Sequence, residues 1–136
     1  MWRMSTPDQS SPDCTSRLNS IAWNELITPD PATAVKFYGD LFGWTTEPFG
    51  GGPNPYTLFK HNGEMFGGVM APPQPGIPPH WLNYVAVADL DTAFAKATAL
   101  GATACVPPMS IGEAGRIAVL RDPQGAGFGL HQPPKM

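Results

Sequence analysis

The chain has 136 residues, enough for one compact domain with a hydrophobic core. Hydrophobic residues make up 42% and charged residues 14%, which favours a globular protein over a disordered one. The net charge of −3, with no run of Lys or Arg, argues against nucleic acid as a partner, and no apolar run approaches the ~20 residues of a membrane helix.

The N-terminal segment, residues 1–19, is rich in Ser, Thr, Pro and Asp and shows no hydrophobic period. We predict a disordered leader here. The segment also lacks the apolar core of a signal peptide, so a cytoplasmic location is expected. At the other end, residues 133–136 are predicted to be a loose tail. Cys14 and Cys105 have no metal-like spacing.

A pattern of strand, capped helix and hairpin occurs twice. Asp30 and Asp89 lie 59 residues apart, and Gly43 and Gly101 lie 58 residues apart. Each aspartate is placed to cap a helix N-terminus, and each glycine to end the helix in the left-handed conformation. The repeat predicts a single domain, residues 20–132, built from two modules.

Module one covers residues 20–71. Its predicted strands are 20–27, 44–49, 56–61 and 65–71, with a loop at 50–55. Asn62-Gly63 is a strong hairpin signal between the last two strands. Apolar residues at helical spacing predict one buried helix face, formed by Ala34, Phe37, Tyr38 and Leu41.

Module two covers residues 81–132. Its predicted strands are 81–87, 103–106, 116–121 and 126–131, with a Pro-Pro loop running through Gly115 after the second strand. The predicted buried helix face consists of Leu90, Ala93, Phe94, Ala97 and Leu100. Trp81 alternates with Leu82 along its strand and is predicted to pack toward this second helix.

The segment that joins the modules, residues 72–80, has five prolines among its nine residues. Such a linker is extended and semi-rigid. It would keep the two modules of one chain from folding freely onto each other, which favours pairing with a module of a second chain. We therefore expect a homodimer.

Two motifs carry a family resemblance. "FYGDLFGW" follows the first strand, and "DPQGAGFGL" lies near the end of module two. Together they resemble the vicinal-oxygen-chelate superfamily, which includes glyoxalase I, extradiol dioxygenases, fosfomycin-resistance enzymes and bleomycin-binding proteins. The patterns "W-x-E-L-x-T-x-D" and "GR-x-A-V-x-x-DPQGA" are similar to those of actinobacterial glyoxalase-like proteins. The resemblance covers residues 20–132. It implies an α+β fold of two βαβββ modules, whose curled mixed sheets face each other around a cleft.

The resemblance also implies a divalent metal in most members, with two ligands from each module. The corresponding positions in this chain are Trp23, Gly67, Leu82 and Gly129. None of these side chains can bind a divalent ion, which needs several N, O or S donors. No spacing rule joins His80, Glu25 and His131 into an alternative site. We therefore predict no metal and no other cofactor, as in the binding-protein branch of the superfamily.

The predicted cleft is aromatic and apolar, with a few polar groups, as small-molecule sites usually are. The resemblance and strand alternation together imply eight binding residues in it: Trp23, Glu25, Tyr56, Gly67, Leu82, Tyr84, Gly129 and His131. The two glycines would leave a flat gap that suits a planar ligand. A slip of one residue would instead turn Asn24, Leu26, Asn83 and Val85 into the cleft.

Glu25 is the candidate with the clearest chemistry, because a buried carboxylate is costly unless it is paired. Arg116 or His131 could be its partner. Trp23 could simply fill the space that a metal occupies elsewhere. Asn24 and Asn83, which occupy equivalent positions, could satisfy backbone groups where the modules meet.

Two classes of function stay open at this point. The first is metal-independent binding of a small, planar or aromatic organic molecule, for sequestration of a drug or metabolite or for antibiotic resistance. The second is a glyoxalase-like lyase or isomerase, or a dioxygenase-type enzyme. Glu25 would then be the general base, with His131 or Tyr84 assisting, because burial raises a carboxylate's pKa.

Overall fold

The computed structural model describes residues 18–49, 56–72 and 74–134. Two helices lie on one face of an eight-stranded mixed sheet. The strands are β1 (Ile21–Ile27), β2 (Thr45–Phe49), β3 (Tyr56–His61), β4 (Glu64–Met70), β5 (His80–Ala86), β6 (Thr103–Ser110), β7 (Arg116–Arg121) and β8 (Gly127–Gln132). The helices are α1 (Pro31–Phe42) and α2 (Leu90–Ala99), with a short 3₁₀ turn at Gly112–Ala114. No helix of the described residues is long and apolar enough to cross a membrane.

The sheet order is β2-β3-β4-β1-β5-β8-β7-β6, and the sheet is not closed. β1 pairs with β4 in parallel, and β5 pairs with β8 in the same way. The two halves therefore repeat one βαβββ arrangement, which confirms the predicted fold class.

The modules meet through β1 and β5, which are antiparallel. Asn24 lies opposite Asn83, with Trp23 opposite Tyr84 on one side of this pair. The pairing lies within one chain, so the expectation that the linker favours pairing between chains is wrong. A stiff linker does not prevent this closure, because the end of β4 and the start of β5 lie on either side of the C-terminal half of β1.

Both helices begin and end as predicted. Asp30 accepts a hydrogen bond from the Thr33 backbone N–H at 3.2 Å, and Asp89 accepts the equivalent bond from Thr92 at 3.2 Å. Hydrogen bonds from the threonines lower the pKa of both aspartates. Gly43 follows α1 with φ 77°, a left-handed conformation that glycine adopts without strain. The Asn62-Gly63 hairpin is also confirmed, with φ values of 52° and 81°.

The predicted face of α1 is only partly right. Ala34 and Tyr38 pack against the core, but Phe37 and Leu41 are each 57% exposed. The helix contacts the sheet along Ala34, Val35 and Tyr38 instead, so its contact stripe is rotated toward Val35. In α2 the predicted face packs as expected as far as Ala97, whereas Leu100 lies at the helix end and is exposed.

Trp81 packs on the side of α1, not toward α2. Its ring lies 5.5 Å from that of Tyr38 and 6.3 Å from that of Phe59, measured between ring centroids. The reason is the antiparallel pairing of β1 and β5. It sets Trp81 opposite Leu26, next to the point where α1 begins.

Two predicted boundaries also need correction. β6 continues through Pro107 and Pro108 to Ser110, where a loop was predicted. It is an edge strand with register shifts, where a proline's missing N–H needs no partner. The backbone N–H of Asn19 donates to the Ala86 carbonyl at 2.7 Å, so the last predicted leader residues join the sheet. The rest of the predicted leader, residues 1–17, lies outside the described residues, as do residues 50–55, Pro73 and residues 135–136.

Candidate functional site

The candidate site lies on the face of the sheet away from the helices, called here the cleft face. Leu26 on β1 and Val69 on β4 point toward α1, so the neighbours of Leu26 along β1 point the other way. Ile27, Leu82 and Tyr84 form a buried cluster on the cleft face, with Trp23 packed against it. The β1 and β5 registration used for the sequence is therefore right, and Asn24 and Asn83 do not turn into the cleft.

A chain of hydrogen bonds runs through this face. The Trp23 Nε1–H donates to the Tyr56 hydroxyl at 3.0 Å, and that hydroxyl donates to Glu25 Oε1 at 3.0 Å. The Tyr84 hydroxyl donates to Glu25 Oε2, also at 3.0 Å. Glu25 is only 8% exposed, and no other buried residue of the described chain carries a charged side chain. Module one supplies Trp23, Glu25 and Tyr56, and module two supplies Tyr84, so Glu25 connects the two modules.

Two glycines leave the space for the tyrosine rings. A Cβ atom on Gly68 would lie 2.2 Å from the Tyr56 hydroxyl oxygen, and one on Gly129 would lie 2.3 Å from the Tyr84 ring. Both separations are far shorter than any real carbon contact. The two positions are equivalent, because Gly68 pairs with Glu25 on β1 and Gly129 pairs with Tyr84 on β5.

The prediction that Gly67 faces the cleft is wrong by one residue. Gly67 pairs with Asn24, and a Cβ there would meet the Asn24 carbonyl oxygen. A register shift between Phe59 and Lys60 in the β3–β4 hairpin offsets β4 from its counterpart β8. The space above Gly129 is also not an empty gap, because the Tyr84 ring fills it.

Burial is the main influence on the electrostatics of Glu25. It raises the pKa of the carboxyl group above its usual value, because removal from water disfavours the charged form. The hydrogen bonds from Tyr84 and Tyr56, and the charge of His80, act in the opposite direction. Burial, together with the nearby carboxylate, strongly raises the pKa of both tyrosines, so their hydroxyls stay protonated.

The partners suggested for Glu25 from the sequence have other contacts. Arg116 makes two hydrogen bonds to the Asp91 carboxylate, at 2.9 and 3.1 Å, which tie β7 to α2. His131 lies on β8 and its Nε2 donates to the Ala114 carbonyl at 2.6 Å. The pairing with Tyr56 and Tyr84 was missed. A signal for it exists in the Gly67-Gly68 pair, which leaves room for a ring to cross β4.

The donor set around Glu25 does not fit a divalent metal. With Gly68 in place of Gly67, the positions that correspond to the family's metal ligands are still occupied by Trp, Gly, Leu and Gly. Both oxygens of Glu25 already accept tyrosine hydrogen bonds. Within residues 18–49, 56–72 and 74–134, no three His, Cys, Asp or Glu side chains come together as a metal site would require.

Comparison with models of protein families shows to which family the chain belongs. The model of the glyoxalase/bleomycin resistance protein/dioxygenase superfamily matches residues 17–130. The chain belongs to this superfamily. The match confirms the resemblance seen in the sequence motifs.

Two relatives share substantial identity with the chain. A Mycobacterium tuberculosis protein named as a glyoxylase, CFP32, is 42% identical over 116 residues, which cover 84% of this chain and 44% of that protein. The anthracycline biosynthesis protein DauV of a Streptomyces species is 32% identical over 124 residues, which cover 80% of this chain and 45% of that protein. The chain thus spans less than half the length of these relatives.

Solved structures of the superfamily share the fold. Methylmalonyl-CoA epimerase from M. tuberculosis superposes with a TM-score of 0.65 at 17% identity, covering 90% of this chain and 93% of that one. The Streptomyces coelicolor epimerase, solved with 2-nitronate-propionyl-CoA, gives 0.65 at 18% identity, covering 87% and 99%. At these identities the likeness shows the fold alone.

Proposed function

We propose that this superfamily member binds a small, planar or aromatic organic molecule on the cleft face without the help of a metal. The observation that carries this proposal is the chain Trp23–Tyr56–Glu25–Tyr84. A carboxylate buried between two tyrosines gives little net stability, since apolar residues of similar volume usually serve a core as well or better. Recognition of a ligand explains why the fold accommodates it.

The surrounding rings define the kind of ligand. Trp23 and Tyr56 are only partly buried, so their ring surfaces can contact a flat molecule. Phe49, at 42% exposure, packs against Tyr56 with ring centroids 6.4 Å apart and extends this surface. The relative DauV is named for the biosynthesis of anthracyclines, which are flat polycyclic aromatics. Sequestration of a drug or metabolite fits such a site.

The test is a thermal-shift screen of planar aromatic compounds, including an anthracycline. We expect stabilisation of the protein by at least one compound in the presence of a chelator, and a weaker shift in Trp23→Ala. Stabilisation that appears only after Zn²⁺, Ni²⁺ or Fe²⁺ is added would contradict metal-independent binding.

A second candidate function is proton transfer by Glu25 in a lyase, an isomerase or a dioxygenase-type enzyme. The raised pKa of Glu25 favours it, since a general base works best when its pKa lies near the working pH. Glu25 would take a proton from carbon next to a carbonyl and return it, which exchanges that hydrogen for deuterium in D₂O. Such exchange, seen by NMR with a bound carbonyl compound and lost in Glu25→Gln, would favour the enzyme over the binding protein.

We also propose a homodimer that forms through the outer face of α1. Phe37, Leu41 and Phe42 are each more than half exposed, and Trp81 is 39% exposed beside them. Tyr38 joins them into one patch, since its ring contacts those of Phe37, Phe42 and Trp81. The three exposed rings alone offer on the order of 300 Å², taking about half of the 150–250 Å² that an aromatic side chain can bury. That area would serve as the apolar centre of an interface that needs about 800 Å² from each partner.

An open pocket of about 330 Å³ adjoins this patch and is lined in part by Phe37, Tyr38 and Pro79. A twofold interface brings the same patch of each copy together, and an apolar patch of this kind can bury itself against its counterpart. The charged pair Lys36–Asp40, with N–O distance 2.9 Å, is highly exposed on the same helix. It would lie in the polar surroundings of such an interface.

A further inference from the structure

We infer that the ligand of the cleft is an organic cation, an ammonium or similar N–H-bearing group attached to a planar aromatic ring. This inference rests on the proposed binding function and specifies its ligand class. It follows from the donor hydrogens, acceptor atoms and charges that the cleft face leaves available to a ligand.

The hydrogens of the central polar groups are already donated within the protein. The indole N–H of Trp23 is donated to Tyr56, and the hydroxyl hydrogens of Tyr56 and Tyr84 are donated to Glu25. The indole and each hydroxyl have one such hydrogen. What remains for a ligand is acceptor capacity, on the Tyr84 oxygen and on the second lone pairs of the Glu25 oxygens. A ligand that matches these atoms must therefore be a donor.

Each of the two histidines of the cleft face also uses one ring nitrogen as a donor within the protein. The Nδ1 of His80 lies 2.8 Å from the Pro78 carbonyl, and the Nε2 of His131 lies 2.6 Å from the Ala114 carbonyl. A carbonyl can only accept, so each of these ring nitrogens carries the hydrogen. In the neutral form of either imidazole, the other ring nitrogen is then an acceptor.

No described lysine or arginine is placed to receive an anionic ligand next to Glu25, where His80 is the group whose positive charge acts on the carboxylate. Lys60 lies two strands from β1 and is paired with Glu47 at 4.0 Å. Arg116 is paired with Asp91. By alternation with Ile117 and Val119, Arg121 faces the cleft side, but it lies on β7, three strands from β1. At about 4.8 Å per strand it is roughly 14 Å from the β1 backbone.

The charge distribution favours the same class of ligand. Glu25 supplies a negative charge, and the rings of Trp23, Tyr56 and Tyr84 around it have electron-rich faces that attract a cation. An anionic ligand would meet the buried carboxylate with no lysine or arginine beside it to offset the repulsion. A cationic group satisfies both the free lone pairs and the charge.

Calorimetric titration with three matched indoles tests the inference at mildly alkaline pH. The compounds are tryptamine (cation), 3-ethylindole (neutral) and indole-3-propionate (anion). We expect tryptamine to bind at least ~10-fold more tightly than either of the others, a difference of about 1.4 kcal/mol. In Glu25→Gln this preference should fall below ~3-fold, the scale of less than 1 kcal/mol. Asp40→Asn removes the same charge from the exposed surface of α1 and should keep the preference.

The outcomes separate the inference from the function on which it rests. Equal or tighter binding of 3-ethylindole or indole-3-propionate to the parent protein would overturn the cation class and leave the binding function intact. Retention of the tryptamine preference in Glu25→Gln would also overturn it. If none of the three indoles, nor their naphthalene counterparts, binds at millimolar concentration, both the inference and the proposed function are contradicted. The comparison within the parent protein holds even if Glu25→Gln does not fold.

Discussion

Glu25 is the residue whose environment is hardest to explain by folding alone. Its carboxylate lies in a buried cluster, yet each oxygen receives a hydrogen bond from a tyrosine of a different strand. Burial raises its pKa, and these hydrogen bonds only partly offset that effect. The ionised form of Glu25 is therefore held at a cost to the folded state.

This cost predicts how stability depends on pH. A carboxyl whose pKa is raised on folding binds its proton more tightly in the folded state, so its contribution is present below the unfolded pKa and is lost as pH rises through the folded pKa. We expect Glu25→Gln to gain stability relative to the parent as pH rises from about 4.5, the ordinary pKa of an unfolded Glu, through the raised pKa of the folded state. Urea denaturation of both proteins across that window measures the difference, which cancels the contributions of other carboxylates such as Asp30 and Asp91. A difference that does not change with pH, or that changes in the opposite sense, would show that burial does not dominate.

Removal of one tyrosine hydroxyl should leave Glu25 partly unsatisfied. Tyr84→Phe takes the donor from Oε2, so we predict a loss of about 1–3 kcal/mol in the free energy of unfolding at neutral pH. The same change should raise the pKa of Glu25 further, which NMR titration of its side-chain carboxyl carbon would detect. Tyr38→Phe, on α1 and outside the hydrogen-bond chain, is the matched control and should cause a smaller change. Equal losses for the two variants would argue against a special role for the Tyr84 hydroxyl.

Part of this site could be predicted from the sequence. Period-two alternation correctly sets Trp23, Glu25, Leu82 and Tyr84 on one face, since each strand's alternation needs only local information. The partners of Glu25 could not be predicted in this way. The contact with Tyr56 depends on how β3, β4 and β1 align, and a register shift near Phe59 moves β4 by one residue. Such a shift has no local signature in the sequence, which is why Gly67 was chosen and Gly68 was missed.

Strands β4 and β8 each have a position without a side chain that makes room for a tyrosine ring. Gly68 and Gly129 lie beneath Tyr56 and Tyr84, so the last strand of each module places a glycine under a tyrosine ring. The role of these glycines is therefore steric. It has no connection with left-handed backbone conformation.

Adding a methyl group at either position should displace a ring. We predict that Gly68→Ala and Gly129→Ala each lower stability by about 1–3 kcal/mol, the usual cost of overpacking a core. Each should also weaken ligand binding, because the shifted tyrosine leaves Glu25. Gly127→Ala is the control on the same strand, since its Cβ would meet Leu82 at an ordinary 3.8 Å. Thermal denaturation of the three variants provides the comparison. If Gly127→Ala is as damaging as Gly129→Ala, the close approach of Tyr84 is not the cause.

The helices show which features of an element depend only on residues nearby in the sequence. Asp30 and Asp89 cap them as the sequence predicts, because an N-cap depends on residues only a few positions apart. The buried face of α1 could not be predicted as well. Two overlapping stripes of apolar residues are available on α1, and contact with the sheet selects the one through Val35 over the one through Phe37 and Leu41.

At the scale of the whole molecule, the two modules form one continuous sheet through β1 and β5. The proline-rich linker suggested pairing between chains, but the structure closes the site within one chain. Each chain therefore holds Trp23, Tyr56, Glu25 and Tyr84 by itself, and a homodimer would not be needed to complete the site.

Dimer formation through the α1 patch is tested by one substitution. Phe37→Glu introduces a charge at the centre of the patch, and we expect it to convert a dimer into a monomer in light scattering at micromolar concentration. Lys36→Ala, next to it but within the exposed ion pair, should leave the dimer intact. A parent protein of single-chain mass would contradict the proposed interface, as would a Phe37→Glu variant that stays dimeric.

The most direct test of the proposed binding function is calorimetric titration of a planar aromatic ligand found in the screen, with the parent protein and with Trp23→Ala, in the presence and absence of a chelator. We predict an unchanged Kd when the chelator is added. We also predict about fivefold weaker binding by Trp23→Ala, which corresponds to the ~1 kcal/mol of a lost aromatic contact. Loss of binding in the chelator, or a Trp23→Ala variant that binds as tightly as the parent, would contradict metal-independent recognition at this cleft.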